Sequence, residues 1–280
     1  MAMPELPEVE TMVRGLQPTL SGRTLRRLEI LDSTLLQGCT SGQLVRRGRG
    51  ATVAGVTRRG KWVVMELAGD RGIIVIQPRM TGGFWLVEPA RPEHIRLVFH
   101  LENPGARVWY CDARRLGKVC WFANGLAAAE AFARSHGPDA LEIARTELAR
   151  RLSRTSRGIK PALMDQKVLA GIGNIYADET LHRAQIHPER PASSLTAEEV
   201  DRLHRSIGEV LATAIELEGS SFDAGYRTVL GLEGGFLAQN SVYGRKDQPC
   251  PICEGPILKT RIAGLVGRPT YYCPVCQVLG

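Results

Sequence analysis

Two identical cysteine pairs near the C-terminus constrain the fold of this chain more than any other feature. Cys250 and Cys253 form the first pair and Cys273 and Cys276 the second, with 19 residues between the pairs. Four thiolates at this spacing suit one tetrahedral zinc ion, and strand-like segments flank the intervening turn, as in a zinc ribbon. Two disulfides are the alternative, but the chain shows no secretory signal that would favour them. We therefore predict one structural Zn²⁺, without which so small a module rarely folds.

The N-terminal residues predict a helix with an unusual start. Two prolines and three glutamates lie between positions 4 and 10, and both residue types favour the first turn of a helix. Apolar residues then recur at helical spacing from Val9 to Leu16. By itself this pattern indicates only a capped amphipathic helix. If the residues before Pro4 are removed, however, its nitrogen becomes a free secondary amine beside Glu5. Such an amine can attack a sugar carbon and form an iminium ion.

The order of strand-like and helical segments predicts the fold class. Between 24 and 122 the chain consists of β-branched and aromatic runs separated by Gly, Pro and charged residues. Such runs, without long helices between them, predict an antiparallel sandwich or barrel. A break at 136–141 follows, and the later pattern is mostly helical. We therefore expect an α+β protein with a β-sandwich domain with flanking helices at 4–135, a helical domain at 136–240 and a zinc-ribbon hairpin at 241–280.

Charge and hydropathy restrict the partners. The chain carries 36 Lys and Arg against 29 Asp and Glu, a net charge of +7, which favours a polyanion such as nucleic acid. The basic, glycine-containing segments 45–50 and 57–62 are loops that could face phosphates. No apolar run is long enough for a membrane span, and no signal-peptide apolar region begins the chain. We expect a soluble cytoplasmic protein.

Motifs in all three parts of the chain carry a resemblance to one family. They are PELPEVE at 4–10, AGIGNIYADE at 170–179, and the segments VYGRKDQPC and GRPTYYCPVCQ that lead into and contain the cysteines. These motifs resemble those of bacterial formamidopyrimidine-DNA glycosylases, which excise oxidised purines in base-excision repair. The resemblance spans 4–277 in the family's order. It implies a β-sandwich, a helix-two-turns-helix domain and a zinc hairpin.

The resemblance also implies catalytic roles. Pro4, as the N-terminal residue, would be the nucleophile, and Glu5 would handle protons at the sugar. Glu8 would brace the first helix. Lys61, in the segment TRRGKW, would assist catalysis near the lesion. The implied activity is that of a glycosylase and abasic-site lyase, which forms a Schiff base and cuts the strand by β,δ-elimination.

Two loops resemble those that occupy the space left by an extruded nucleotide. In QPRMTGG at 77–83 the residue that would fill this space is Met80. In CDARRLG at 111–117, Arg114 would pair with the orphaned base and Leu116 would form a wedge beside it. These assignments rest on the resemblance alone.

The same loops depart from the family pattern. Gln77 replaces the usual His, Pro78 and Arg79 replace Leu and Gly, and Leu116 replaces Phe. Arg79 could supply the phosphate contact that the His makes in the family. Leu116 keeps an apolar wedge but loses aromatic stacking area.

The resemblance implies three further contacts with the DNA backbone. They are Lys160 in the segment IKPALMDQ, Asn174 in the glycine-rich turn, and Arg268 at the turn of the zinc hairpin. The glycine-rich segment 220–236 corresponds to a mobile loop that covers the extruded base, although no individual residue in it is assigned. The implied partner is duplex DNA with oxidised bases or abasic sites, bound by a monomer.

Two alternatives remain open. An endonuclease VIII-type relative, acting on oxidised pyrimidines, would share the layout, but such enzymes usually begin P-E-G-P-E, whereas this chain reads P-E-L-P-E. A non-catalytic lesion-binding protein is the second alternative. It applies if Pro4 stays within a peptide bond, where its nitrogen cannot act as a nucleophile.

The phosphate contacts predict a salt dependence of DNA binding. The logarithm of the affinity for lesion-containing duplex should fall linearly with the logarithm of the salt concentration, with a slope of about −0.9 for each phosphate neutralised, because each contact releases a counterion. Binding titrations between about 50 and 300 mM salt measure this slope. An affinity that stays constant over that range would contradict the electrostatic part of the prediction.

Overall fold

The computed structural model describes residues 3–103, 105–221 and 225–279. The helices are α1 (Leu6–Leu20), α2 (Ser41–Gly48), α3 (Gly125–Ser135), α4 (Arg145–Leu152), α5 (Ile159–Met164), α6 (Asn174–Ala184) and α7 (Ala197–Glu216). The strands are β1 (Thr24–Ile30), β2 (Leu36–Gln37), β3 (Ala51–Arg59), β4 (Trp62–Leu67), β5 (Gly72–Gln77), β6 (Gly82–Trp85), β7 (Ile95–Leu101), β8 (Arg107–Asp112), β9 (Lys118–Phe122), β10 (Leu258–Thr260) and β11 (Thr270–Tyr272). None of the helices in these ranges has the length and apolar character needed to cross a membrane.

The chain divides into two compact units. The first runs up to Arg134 and includes Leu217–Gly235, and the second comprises Ser135–Glu216 and the residues from Phe236 onward. The segment Leu217–Gly235 thus returns to the N-terminal unit after α7. The division into three domains stays a prediction.

A nine-stranded sheet forms most of the first unit. Its order is β2-β9-β5-β4-β3-β1-β7-β8-β6, and all neighbours are antiparallel except β2 and β9. Strand β1 joins two halves, because it pairs with β3 only at Thr24 and Leu25 but with β7 over most of its length. The predicted antiparallel, strand-rich N-terminal region is therefore confirmed.

One hydrophobic core is shared by both halves of the sheet and α1. Phe99 from one half and Met65 from the other lie in the same cluster of buried side chains. Helix α1 adds Val9, Met12 and Leu16, each 0% exposed, at the helical spacing seen in the sequence. Burial of apolar side chains from both halves in one layer is the arrangement of a β-sandwich. Each fully buried side chain of this kind contributes roughly 1.5–3 kcal/mol.

The segment Leu217–Gly235 packs directly on α1. Tyr226 and Val229 belong to the same core, and the backbone N–H of Leu86 donates to the Val229 carbonyl at 2.8 Å. A Cβ placed on Gly15 of α1 would overlap Val229 Cγ2. The absence of a side chain at Gly15 therefore permits this close approach.

The described residues of the second unit form four α-helices, α4 to α7, and the β10–β11 pair. The mostly helical pattern predicted after 141 is confirmed, and its first two helices are α4 and α5. Helix α6 begins at Asn174, directly after Gly173, and α7 buries Leu203, Ile207 and Leu211 along one face. Two expectations in the first unit were wrong in part. Segment 45–50 is not entirely a loop, because α2 continues to Gly48. In segment 57–62 only 60–61 form a turn, because β3 extends to Arg59 and β4 begins at Trp62.

Two glycine substitutions test the packing at α1. Gly15→Ala should destabilise the protein by about 1–3 kcal/mol, because the new methyl group overlaps Val229, although alanine favours a helix by about 1 kcal/mol over glycine. Gly208 of α7 is the matched control, since a Cβ there meets no described atom within 4 Å. Gly208→Ala should therefore raise the midpoint of thermal unfolding. If both variants raised the midpoint of thermal unfolding equally, the described contact between Gly15 and Val229 would be contradicted.

Candidate functional site

The carboxylate of Glu8 organises the N-terminal segment. Pro4 and Glu5 are buried at the start of α1, with Glu5 as its N-cap. The backbone N–H of Glu5 donates to Glu8 Oε2 at 2.8 Å, and the backbone N–H of Ser220 donates to Glu8 Oε1, also at 2.8 Å. Glu8 is 2% exposed. One buried carboxylate therefore holds both the candidate nucleophile's neighbour and the start of the segment predicted to cover the extruded base.

The backbone next to Ser220 fits this contact. Gly219 has a φ of +83°, and a Cβ there would lie 2.8 Å from Glu8 Oε1. Both observations favour glycine at this position. Ser221 Oγ donates to the Tyr226 carbonyl at 2.9 Å, and the N–H of Gly234 donates to Ser221 Oγ at 2.8 Å, which closes the segment on itself. The predicted covering loop includes 222–224, which lie outside the described residues.

Lys61 lies in the tight turn between β3 and β4 and is 4% exposed. Gly60, the first residue of this two-residue turn, has a φ of +56°, which glycine adopts without strain. Arg58 Nε forms an ion pair with Glu10 Oε2 at 2.9 Å, and Arg58 Nη1 donates to the Gly60 carbonyl at 3.2 Å. The turn that carries Lys61 is thereby tied to the first half of α1.

Asp112 anchors the two loops predicted to fill the space of an extruded nucleotide. Its Oδ2 accepts the backbone N–H of Gly117 at 2.7 Å, and its Oδ1 accepts the backbone N–H of Arg114 at 3.2 Å and the hydroxyl of Thr81. Asp112 is 0% exposed. Sequence reasoning missed this residue, although an aspartate at the start of a turn commonly binds backbone N–H groups just beyond it.

The anchored loops bring two of the predicted residues together. Arg114 Nη1 donates to Met80 Sδ at 3.4 Å. Arg114 and Leu116 are exposed, and Met80 is half-buried. Arg79 and Arg115 both have positive φ values, +59° and +56°, so each loop contains a backbone conformation that L-residues rarely adopt. Two loops of fixed geometry therefore present a thioether, a guanidinium and an apolar side chain.

Lys160, in the second unit, is completely buried. Its ammonium lies 2.7 Å from Asp178 Oδ1 and donates to the Pro269 carbonyl and to Thr270 Oγ1, both at 3.0 Å. Burial raises the pKa of Asp178, and the Lys160 ammonium and the N–H of Tyr271 oppose that rise. The lysine predicted to contact DNA thus has its charge turned toward the C-terminal segment of its own chain.

Asn174 reaches the same carbonyl. Its Nδ2 donates to the Pro269 carbonyl at 3.0 Å and to Tyr243 Oη at 3.3 Å. Asn174 Oδ1 is buried without a hydrogen-bond partner among the described residues. Arg268, directly before Pro269, is exposed. The structure therefore brings Lys160 and Asn174 together at the turn that carries Arg268.

Helix α6 holds the C-terminal segment through buried carboxylates. Glu179 accepts the backbone N–H groups of 241–243 at 2.7, 3.0 and 2.7 Å, and Asp178 Oδ2 accepts that of Tyr271 at 2.9 Å. Burial raises the pKa of Glu179, and the three N–H donors oppose the rise. Adjacent acidic residues of one helix therefore bind two separate stretches of the C-terminal segment.

The four C-terminal cysteines form a cluster that could hold a metal ion. Their sulfur atoms all lie within 4.8 Å of one another. Cys250 Sγ is 3.9 Å from Cys276 Sγ, and Cys253 Sγ is 3.4 Å from Cys273 Sγ. A tetrahedral ion with Zn–S bonds of about 2.3 Å separates its sulfur ligands by about 3.8 Å. The four thiols are free, so the residues fit a Zn²⁺ site rather than two disulfides.

A histidine lies against this cluster. His182 Nε2 of α6 is 3.3 Å from Cys250 Sγ, and the residue is 2% exposed. Burial lowers the pKa of His182 to about 4. Sequence reasoning missed this residue, because it lies 68 positions before the cysteine that it contacts.

Two family models and several known proteins match this chain over most of its length. The family model of the formamidopyrimidine-DNA glycosylase N-terminal domain matches residues 3–119, and that of the H2TH domain matches 136–224. A formamidopyrimidine-DNA glycosylase of Thermus thermophilus is 41% identical over 279 residues, which cover 98% of each chain.

Solved structures show the same similarity. The crystal structure of the MutM (Fpg) protein from Thermus thermophilus matches with a TM-score of 0.86 and 39% identity, over 99% of this chain and 100% of that one. A mutant Fpg of Lactococcus lactis, in complex with DNA that contains Fapy-dG, matches with a TM-score of 0.87 and 31% identity, over 98% and 100% of the two chains.

The buried Lys160–Asp178 pair leads to a stability prediction. Lys160→Met should destabilise the protein by about 3–5 kcal/mol, because it leaves the Asp178 carboxylate buried without its counter-ion. Adding Asp178→Asn should recover part of this loss, since a neutral amide costs less to bury. The exposed Lys167 supplies the control, and Lys167→Met should change the free energy of unfolding by no more than about 0.5 kcal/mol. Denaturant titrations measure all four proteins, and equal effects of the two single lysine variants would contradict the pairing.

Proposed function

Because the chain belongs to the formamidopyrimidine-DNA glycosylase family, we propose that it is a base-excision repair enzyme that removes oxidised purines from duplex DNA and then cuts the strand. The observation that carries this proposal is the full-length match to a glycosylase at 41% identity. The Lactococcus lactis relative bound to DNA with Fapy-dG, an oxidised purine, supports the substrate class. We further propose that the enzyme acts as a monomer in the bacterial cytoplasm.

The proposed nucleophile is the nitrogen of Pro4 after removal of the preceding residues. Its lone pair forms a bond to C1′ of the damaged nucleoside while the bond between C1′ and the base breaks. Opening of the sugar gives an iminium ion, which acidifies the neighbouring C–H bonds. Loss of these protons expels first the 3′ phosphate and then the 5′ phosphate, so the strand is cut on both sides. Hydrolysis of the iminium frees the enzyme.

Glu5 and Lys61 are the proposed partners of Pro4. Glu5 follows Pro4 directly and is 2% exposed, and its carboxyl group is the proposed carrier of protons to and from the sugar. Lys61 is 4% exposed and lies in the turn tied to α1 through Arg58 and Glu10. In this position an ammonium group can stabilise negative charge on the lesion phosphate or base.

The proposed contacts with DNA divide between the two units. In the first unit, Met80, Arg114 and Leu116 occupy the space of the extruded nucleotide, since base excision requires the base outside the stack. In the second unit, Asn174 and Arg268 bind phosphates. Lys160 is 0% exposed, so we assign it an indirect role: it fixes the Pro269 carbonyl next to Arg268.

We propose that the four clustered cysteines bind one Zn²⁺ with a structural role. The ion would connect the two ends of the C-terminal hairpin and so hold the turn that carries Arg268. Such small modules gain most of their folding free energy from the metal.

The nucleophile is tested by comparing a chain that starts at Pro4 with one that keeps residues 1–3. Both should bind duplex DNA with 8-oxoguanine, but only the first should release the base and cut the strand, because an amide nitrogen has no available lone pair. Single-turnover base release and gel analysis of the strand measure this. Full activity of the blocked chain would contradict the role of Pro4, and binding without activity in both chains would favour the non-catalytic alternative.

Glu5→Gln in the chain that starts at Pro4 should keep DNA binding and lower base release by roughly 10²–10⁴-fold, the typical effect of removing an acid–base group. The exposed Glu66 of β4 provides the control, and Glu66→Gln should leave the rate unchanged.

Parallel assays with oxidised pyrimidines decide the substrate class. Faster release of a pyrimidine lesion than of 8-oxoguanine would favour the endonuclease VIII-type alternative.

A further inference from the structure

We propose that His182 is a positioning residue of the metal site, which donates a hydrogen bond from Nε2–H to the Cys250 thiolate and thereby slows release of the metal. The inference rests on the proposed zinc site and is independent of the glycosylase activity. Its basis is the contact of 3.3 Å between His182 Nε2 and Cys250 Sγ, in a location where both residues are buried.

The direction of the hydrogen bond follows from the chemistry of the ligand. A thiol that binds zinc gives up its proton, so the coordinated sulfur can only accept. The proton in the contact must therefore reside on Nε2, which fixes the tautomer of the ring. The backbone N–H of Ile252 lies 3.4 Å from the same sulfur, so Cys250 has two donors, one from its own loop and one from a distant helix.

Unlike the backbone N–H of Ile252, His182 links Cys250 to a helix that contacts the hairpin at several points. Asn174, Asp178 and His182 follow one another at intervals of four residues and so lie on one face of α6. They bind Pro269, Tyr271 and Cys250 respectively. This face therefore contacts the hairpin from the Arg268 turn to a metal ligand. Donation to the thiolate reduces its negative charge and restricts its motion, and both effects oppose dissociation of the metal.

The experiment compares full-length proteins that carry His182→Phe and His182→Gln with the unmodified chain. Phe fills a similar volume without a donor, whereas the amide of Gln can supply an N–H near the position of Nε2. We expect transfer of zinc to a colorimetric chelator to be roughly 10- to 100-fold faster for His182→Phe, the range by which loss of an outer-shell partner usually weakens metal affinity. His182→Gln should restore most of the slow release.

A spectroscopic measurement separates this role from simple packing. With Co²⁺ in place of zinc, the thiolate-to-metal charge-transfer band should move to lower energy in His182→Phe, because a sulfur without its donor gives up an electron more easily, and return in His182→Gln. His187→Phe is the matched control: His187 is also buried and its ring packs at 4.8 Å on Tyr272 of the hairpin. This control should leave the band unchanged.

The outcomes are distinct. If the unmodified chain holds no zinc, the metal proposal itself fails. If it holds one zinc, but His182→Phe releases it at the original rate with an unchanged band, the role of His182 fails while the metal site stands. If His182→Phe does not fold, the unmodified protein loaded with ¹¹³Cd decides, because a proton on Nε2 that bonds to the thiolate should show scalar coupling to cadmium. Absence of that coupling would overturn the proposal.

Discussion

The buried carboxylate of Glu8 is the interaction on which the N-terminal unit depends. A charge removed from water needs compensation from hydrogen-bond donors, and Glu8 obtains it from the backbone of Glu5 and of Ser220, which are separated by most of the chain. Displacement of either donor would leave one carboxylate oxygen without that partner. The start of α1 and the segment after α7 are therefore fixed together by side-chain hydrogen bonds. This link gives the predicted nucleophile and the predicted covering segment a common anchor.

In the second unit, two buried carboxylates accept backbone N–H groups in the same way. Asp178 and Glu179 are buried side by side on α6, and together they accept four backbone N–H groups. The Lys160 ammonium forms an ion pair with Asp178. Buried ion pairs often contribute little net stability compared with apolar residues, but they are costly when a partner is missing. In this unit the main effect of these buried groups is to position the hairpin. They fix the hairpin against α6 at a defined register, so that Lys160 and Asn174 share one carbonyl, that of Pro269, beside Arg268.

Local sequence patterns predicted most helices and strands, whereas the side-chain contacts between distant residues could not be predicted from them. The apolar residues of α1 recur at the helical period, and each cysteine pair has the spacing of metal ligands. The helix and the cysteine cluster could therefore be predicted from sequence. Burial of Lys160 could not, because its partner carbonyl at Pro269 is 109 residues away. The anchoring role of Asp112 and the contact of His182 with Cys250 depend on tertiary packing in the same way. Near residue 45 the glycines suggested a loop, but a Thr40 side-chain cap and the burial of Leu44 extend α2 to Gly48.

The proposed covalent bond joins the amine of Pro4 to the sugar, and identifying the residue that carries this bond is the decisive measurement. Reduction of the reacting complex with borohydride converts the iminium into a stable amine, after which proteolysis and mass spectrometry identify the residue that carries the sugar remnant. We expect the remnant on the nitrogen of Pro4 at a processed N-terminus. A remnant on the side chain of Lys61, or no adduct from a chain that cuts the DNA, would contradict it.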